Sequence, residues 1–336
     1  MTELGIPPAS GYAGQVVQFA APLLRIRYPE AVYVNLQGFP DWIPYARAQV
    51  EVAAPHPEAP VGEIRIVHVL AANQVLADSG DPLWQPSSGG PVVATPDGWI
   101  WAHLGNTRRL VLVPSEAHTA FRHAGGVATL GADHSSTVQL ESAPGGAGSF
   151  TSAGSVPESA LTELEAKVGA ALPAAYREFV ASTNGGRPPA PLVHPEFGFV
   201  ADQSFLGVGR RDWFENLEYA RQWSRDRFTT DFLPIGHVQG GTLAVRLTDP
   251  GAGSVWYYDD DDPRDDDSYD ASVVSSRLLW RCADDFTTLL KTLMPVPDRL
   301  HQAATTMAGG GQARLVRHPE LGRALPADRR SPQGGI

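Results

Sequence analysis

The sequence has a single cysteine, Cys282, in 336 residues. No internal disulfide can form, so the disulfide-built secreted scaffolds are set aside and a reducing, cytoplasmic location is expected. No cluster of partners surrounds Cys282 in sequence, and it reads as a small core residue rather than a reactive thiol. Long apolar runs are missing as well: nothing approaches the roughly eighteen consecutive apolar residues of a membrane span. The opening MTELGIPPAS has an early acid and no basic-then-apolar run, so no secretory leader is expected from it. Basic residues are scarce. Residues 1–140 hold seven Arg, no Lys and eleven acids, and the whole chain carries a net charge of −11. A protein that relies on phosphate contacts presents a basic face, and here only Arg108, Arg109 and Arg122 make a modest local patch. An apolar fraction of 43% over this length supports two or three domains, each with its own core.

The stretch around which the chain is organised runs from Thr95 to Gly126. Pro96-Asp97-Gly98 is a turn, an alternating strand follows from Trp99 to His103, and Gly105-Asn106-Thr107 leads into a second strand from Arg108 to Val113. Pro114-Ser115-Glu116 then starts a helix. This predicts a β-hairpin followed by a helix, with His103 at a strand end and His118 and His123 on or just after the helix. Two readings are open at this point. In one, a neutral imidazole deprotonates a water while a divalent ion held by the other histidines stabilises charge on a phosphate. In the other, a small hairpin carries surface histidines.

The segment resembles the end of the WHH group of the HNH/endonuclease VII superfamily, toxin nucleases of bacterial polymorphic toxin systems. The residues that carry the resemblance are Gly98, Trp99, Trp101, Ala102 and His103, then Leu112-Val113-Pro114, His118, and His123-Ala124-Gly125-Gly126. Upstream, Gly38-Phe39-Pro40-Asp41-Trp42-Ile43-Pro44-Tyr45 is similar to the Gly-Phe-Pro-Asp-Phe-x-Pro-Tyr box that precedes the hairpin in that group, although a tight Pro-flanked turn packing its aromatics explains Asp41 and Tyr45 equally well. The resemblance implies a ββα-metal unit with His103 as general base, His118 and His123 as ligands, and Mg, Mn, Ni or Zn as the divalent metal. One departure matters: the family's paired histidines stand here as Ala102-His103. By analogy with colicin-type HNH nucleases the first of the pair helps hold the metal, so a site with two histidine ligands is expected to bind it weakly. A degenerate nuclease and a deliberately inactivated toxin both fit Ala102.

Before this unit the text from Gly14 to Ala54 reads as strands at Val16 to Phe19, Leu23 to Tyr28, Ala31 to Leu36 and Ala48 to Val52. Glu63 to Ser79 has helix-forming composition and stops at Gly80, with His68 as a core histidine; Arg65 is a candidate for an arginine that the resemblance places ahead of the hairpin. Residues 131–155 shift to Gly, Ser, Ala and Thr and read as a flexible linker.

After it come a helix from Val156 to Gly169 with Pro157 at its start, a second from Leu172 to Val180, and Asn184-Gly185-Gly186. With a middle helix near Trp213 to Arg225, Phe232-Leu233-Pro234-Ile235-Gly236, strands Thr242 to Thr248 and Val255 to Tyr258, and a last helix from Asp284 to Leu293, this resembles the SUKH superfamily. That resemblance implies an α+β domain which in bacteria binds and blocks a cognate nuclease toxin. Asp259, Asp260, Asp261, Asp262, Asp265, Asp266 and Asp267 form the strongest charge run. It reads either as a solvated loop or as a phosphate-mimicking surface for a basic nuclease, exposed and mobile in isolation. Alternating EF-hand spacing is absent.

The expected architecture is α+β: residues 1–130 a ββα-metal, HNH-like unit, 131–155 the linker, 156–295 the SUKH domain, and 296–336 a partly disordered tail. The expected role is a toxin-immunity protein whose SUKH domain neutralises a nuclease toxin, either a separate protein or its own N-terminal domain, fused to an impaired nuclease. The alternative is an active metal-dependent DNase restrained by its own SUKH domain. Nucleic acid is a partner only if that nuclease works, and no membrane partner is expected.

Overall fold

In the computed structural model, residues 11–56, 58–84, 93–130, 138, 140, 150–265 and 268–330 are described. The first half contains β1 (Val16–Val17), α1 (Pro22–Arg27), β2 (Val32–Tyr33), β3 (Ala48–Glu51), α2 (Val61–Asp78), β4 (Trp99–His103), β5 (Arg109–Pro114) and α3 (Ser115–Ala120). Leu23 to Tyr28, expected as a strand, is the helix α1. Pro22 sits in its first turn, and Leu24 and Tyr28, four residues apart, are both buried. The apparent alternation Leu-Arg-Ile-Arg was helical spacing read over too few residues. The hairpin and helix at 99–120 lie where the turn signals put them, with Gly98 at φ 77° and Asn106 at φ 57° closing the turns.

The second half contains α4 (Glu158–Val168), α5 (Ala174–Thr183), β6 (Leu192–Val193), β7 (Val200–Ala201), α6 (Leu217–Trp223), β8 (Phe232–Val238), β9 (Gly241–Arg246), β10 (Val255–Asp259), α7 (Ala271–Arg277), β11 (Leu279–Ala283), α8 (Phe286–Thr292) and β12 (Met294–Pro295). Helix α4 buries Leu161, Leu164 and Val168 on one stripe and ends at Gly169 in the left-handed region; α5 ends at Asn184 in the same conformation. Strands β11-β10-β9-β8 form an antiparallel sheet, and β12-β6-β7 a smaller one. The class is α+β.

The stretch after Pro295 departs from the expected tail. A helix, α9 (Asp298–Gly309), a strand, β13 (Arg314–Leu315), and a 3-10 turn at Ala327–Arg329 follow. Leu300 and Ala304, one turn apart, are buried in the cluster that contains Ile66, Val69 and Leu70 of α2, and β13 pairs with β3 in the register Arg314↔Glu51, Leu315↔Val50. The N-terminal sheet therefore has the order β13-β3-β5-β4 and takes its last strand from the far end of the chain. Residues 331–336 lie outside the described ones, as does most of the expected linker. Of its described residues, Val138 and Leu140 are buried, and the Leu140 N–H donates to the Pro195 carbonyl.

The two halves share one core. Ile100, Ala102, Val111 and Val113 from the hairpin lie in the same buried cluster as Leu161, Tyr176, Phe205, Leu243 and Phe286. Polar contacts tie the seam: the Trp101 N–H donates to Gln239 Oε1 at 3.0 Å, the Thr95 N–H to Asp202 Oδ2 at 3.1 Å and the Gly98 N–H to Gln203 Oε1 at 3.1 Å. Helix α2, enclosed by the sheet, α9 and the second half, is buried almost all round and so has no polar face.

Candidate functional site

Alternation along β4 divides its residues between two faces. Trp99 and Trp101 pack with Leu110, Leu112 and α2, whereas Ile100 and Ala102 pack with Val111, Val113 and the shared core. His103, on the parity of Trp101, meets α2: its Nε2 is 3.1 Å from His68 Nδ1. His118 and His123 form a second pair, with perpendicular rings and centroids 4.6 Å apart. Trp42 supports both, its ring centroid 5.5 Å from His118 and 5.4 Å from His123. All four of Ala102, His103, His118 and His123 line one cavity.

Burial removes the charge from these imidazoles. It pushes His103 down to about 3, with Arg65 adding to the effect, and His123 down to about 4; it also lowers His118, helped by His123 and Arg227. His123 Nδ1 lies 2.6 Å from the Phe121 carbonyl, so Nδ1 carries the proton and Nε2 keeps its lone pair. His118 Nδ1 is buried with no hydrogen-bond partner.

The remaining wall of the cavity comes from the second half. Asp260 Oδ2 is 4.0 Å from His118 Nδ1. The Asp261 carboxylate accepts from Arg65 Nη2 at 2.8 Å and from the Val127 N–H at 3.2 Å, and the Gly125 N–H donates to the Asp260 carbonyl at 2.6 Å. Arg65 Nη2 also donates to Asp259 Oδ1 at 2.8 Å. Asp265 pairs with Arg122, and Asp262 with Arg264 at 2.5 Å. The exposed, mobile loop expected from the charge run is thus corrected for Asp260, Asp261, Asp262 and Asp265, which are buried. For Asp261, Asp262 and Asp265 the reason is the arginine that meets each, because a buried carboxylate persists only when paired; at Asp260 burial instead pushes the carboxyl up to about 7. Asp266 and Asp267 lie outside the described residues. About 20 Å³ is left in the cavity, room for a single water.

Asp41 does not reach this cavity. Its Oδ1 accepts from the Ile43 N–H at 3.1 Å and caps a short turn, the Pro-flanked alternative. Trp101 lines the cavity and donates from Nε1 to Asn73 Oδ1 at 2.8 Å. Two roles escaped the sequence: Arg65 as the clamp on the acidic loop, and His68, taken as a core histidine, as the partner of His103. Their i,i+3 spacing on α2, which puts both on one face, was the available signal.

A family described as a nuclease of the HNH/ENDO VII superfamily with conserved WHH matches residues 91–133, and the SMI1 / KNR4 family (SUKH-1) matches residues 155–291. The two matches follow one another as the nuclease-then-SUKH layout requires. No curated protein matches the chain. The nuclease superfamily is typically metal-dependent. In this chain the residues do not complete a site: Ala102 offers a methyl group beside two imidazoles, and among the described residues no group of three or more His, Cys, Asp or Glu is disposed to hold an ion. Among the described residues no helix is long and apolar enough to cross a membrane.

Proposed function

We propose that this chain, with a nuclease-type segment followed by a SUKH-type segment, is a toxin-immunity fusion in which the SUKH-type half neutralises the nuclease-type half in cis. The observation that supports this reading is the insertion of Asp260 and Asp261 between Arg65 and the His118–His123 pair, which leaves no room for a nucleic acid strand. The acidic loop, proposed as the partner-binding surface, finds its basic groups within its own chain. The nuclease-type half is further impaired by Ala102, which removes a nitrogen donor from the face that carries His118 and His123. In this reading His103 is the base, held neutral by burial, and His118 and His123 are the incomplete ligand set for a divalent ion. Cytoplasmic action fits the single free cysteine, Cys282, which is half-buried.

A working endonuclease restrained only by closure is the competing reading, favoured by the retention of three neutral imidazoles around one cavity. Cleavage of plasmid DNA in Mg²⁺, Mn²⁺, Ni²⁺ or Zn²⁺ separates the two. The neutralised, impaired state predicts weak or no cleavage by the parent and by Asp260→Asn/Asp261→Asn, and clear cleavage once Ala102→His is added to that variant. Strong cleavage by the loop variant with Ala102 in place overturns the impaired site in favour of closure alone. Absence of cleavage from the folded triple variant overturns the nuclease-type assignment.

A further inference from the structure

The Asp261 carboxylate is held as an oxyanion is held. One oxygen takes an N–H of the Arg65 guanidinium at 2.8 Å, and the other takes the Val127 backbone N–H at 3.2 Å. The Gly125 N–H, two residues earlier, points at the same loop and donates to the Asp260 carbonyl. Both donors, two residues apart, meet the same acidic loop at Asp260 and Asp261. Gly125 is what allows the approach: a Cβ there would run into Asp261 Oδ1. Gly126 is equally constrained, since a Cβ would meet the His103 carbonyl. Arg65 is buried and its Nε has no hydrogen-bond partner, and His118 Nδ1, in the same cavity, has none either. Two polar groups left unsatisfied beside this carboxylate indicate a seat whose polar groups Asp261 does not fully satisfy, one open to a larger anion.

We propose that Arg65 and the backbone N–H groups of Gly125 and Val127 form an oxyanion cradle for a phosphodiester group of nucleic acid, and that Asp261 closes the chain by occupying this cradle. This rests on the nuclease-type reading of residues 99–126. A phosphodiester presents two non-bridging oxygens with the spread needed to meet a guanidinium on one side and backbone N–H groups on the other. Carboxylate and phosphate then compete for one seat, and neutralisation is exclusion by substitution rather than coverage at a distance.

The test is binding without catalysis, with the full-length chain in EDTA at low salt and a fluorescein-labelled twelve-nucleotide single strand as probe. Asp261→Ala frees the cradle and is expected to tighten anisotropy-detected binding about tenfold or more, the value of one charge-assisted contact pair. Arg65→Gln added to it returns the affinity to that of the parent, as does Gly125→Ala, which fills the seat while leaving the guanidinium in place. Arg277→Gln, exposed on α7 and outside the cradle, changes the gain by less than about twofold. Circular dichroism and a cooperative melt establish that each variant is folded. The proposal is overturned if folded Asp261→Ala binds no tighter than the parent, or if its gain survives both Arg65→Gln and Gly125→Ala. Inorganic phosphate provides the other arm: Arg65-dependent binding of phosphate with no gain for the oligonucleotide overturns the nucleic acid assignment. Metal-dependent cleavage plays no part here, so failure of the cradle is distinguishable from failure of the nuclease-type reading.

Discussion

The two sides of β4 carry histidine pairs of opposite character. On one, His68 and His103 satisfy each other at 3.1 Å, one ring on a long helix and the other at a strand end. On the other, His118 and His123 stand perpendicular over Trp42, one with its Nδ1 tied to a carbonyl and the other with no partner at Nδ1. Ala102 belongs to the second side and lines the cavity with both rings. The first pair is a closed unit that sets a tautomer; the second lacks a donor, and the acidic loop from the other half stands beside it. A polar cluster left incomplete by one side chain is where a distant segment of the chain gains most by docking, because its carboxylates find donors that nothing else satisfies.

The largest break is expected on the Arg65 side. Arg65→Leu leaves Asp259 and Asp261 without their buried cation and is expected to destabilise the chain by about 3–5 kcal/mol, measured by urea unfolding. A loss under about 1 kcal/mol means that the loop is not held by this pair. Next in size is Ala102→His, which gives the incomplete side a third imidazole. In the Asp260→Asn/Asp261→Asn variant it is expected to raise Zn²⁺ affinity by about 100-fold, read by calorimetry, while lowering metal-free stability by about 1–3 kcal/mol through overpacking at a buried position. Unchanged Zn²⁺ affinity places the ligand set elsewhere.

On the self-contained side, His68→Ala leaves His103 Nε2 without its partner and is expected to cost about 2 kcal/mol. The same variant should replace a single His103 tautomer by a mixture in long-range ¹⁵N–¹H spectra, a change that packing loss alone does not produce. The smallest effect is the pH dependence of the loop. Burial raises the Asp260 carboxyl from 3.8 to about 7, against the opposing pull of Arg227 and with Asp259 and Asp261 adding to the rise. Between those values the folded chain holds a proton that the unfolded chain has released, so stability from this group is present below pH 3.8 and is lost as pH rises through about 7. The buried imidazoles act in the opposite sense, losing stability as pH falls below 6.5. The melting temperature of Asp260→Asn minus that of the parent isolates the carboxyl: it should grow from pH 4 to pH 8, and a flat difference removes Asp260 from the buried set.

Much of this chain was legible locally. The turn at Pro96-Asp97-Gly98, the hairpin strands and the caps at Gly169 and Asn184 depend on residues a few positions apart, and the structure has them where those residues put them. The helix α1 was misread because six residues are too few to separate a period of 2 from one of 3.6. His103, His118 and His123 could be named from their spacing, but their assignment to different faces needed the strand register.

What the sequence determined by itself, then, is the hairpin with its helix, the capped helices α4 and α5 and the two family resemblances, because capping, turn chemistry and side-chain periodicity act over short separations. Only the tertiary structure decided that α9 and β13 return to the N-terminal sheet, that both halves share one core, and that the acidic run is buried against Arg65 and Arg122. The reason is that a carboxylate run has no fold of its own. Its charge obliges it to find either water or cations, and which of them it meets is set by contacts nearly two hundred residues apart in sequence, as between Arg65 and Asp261.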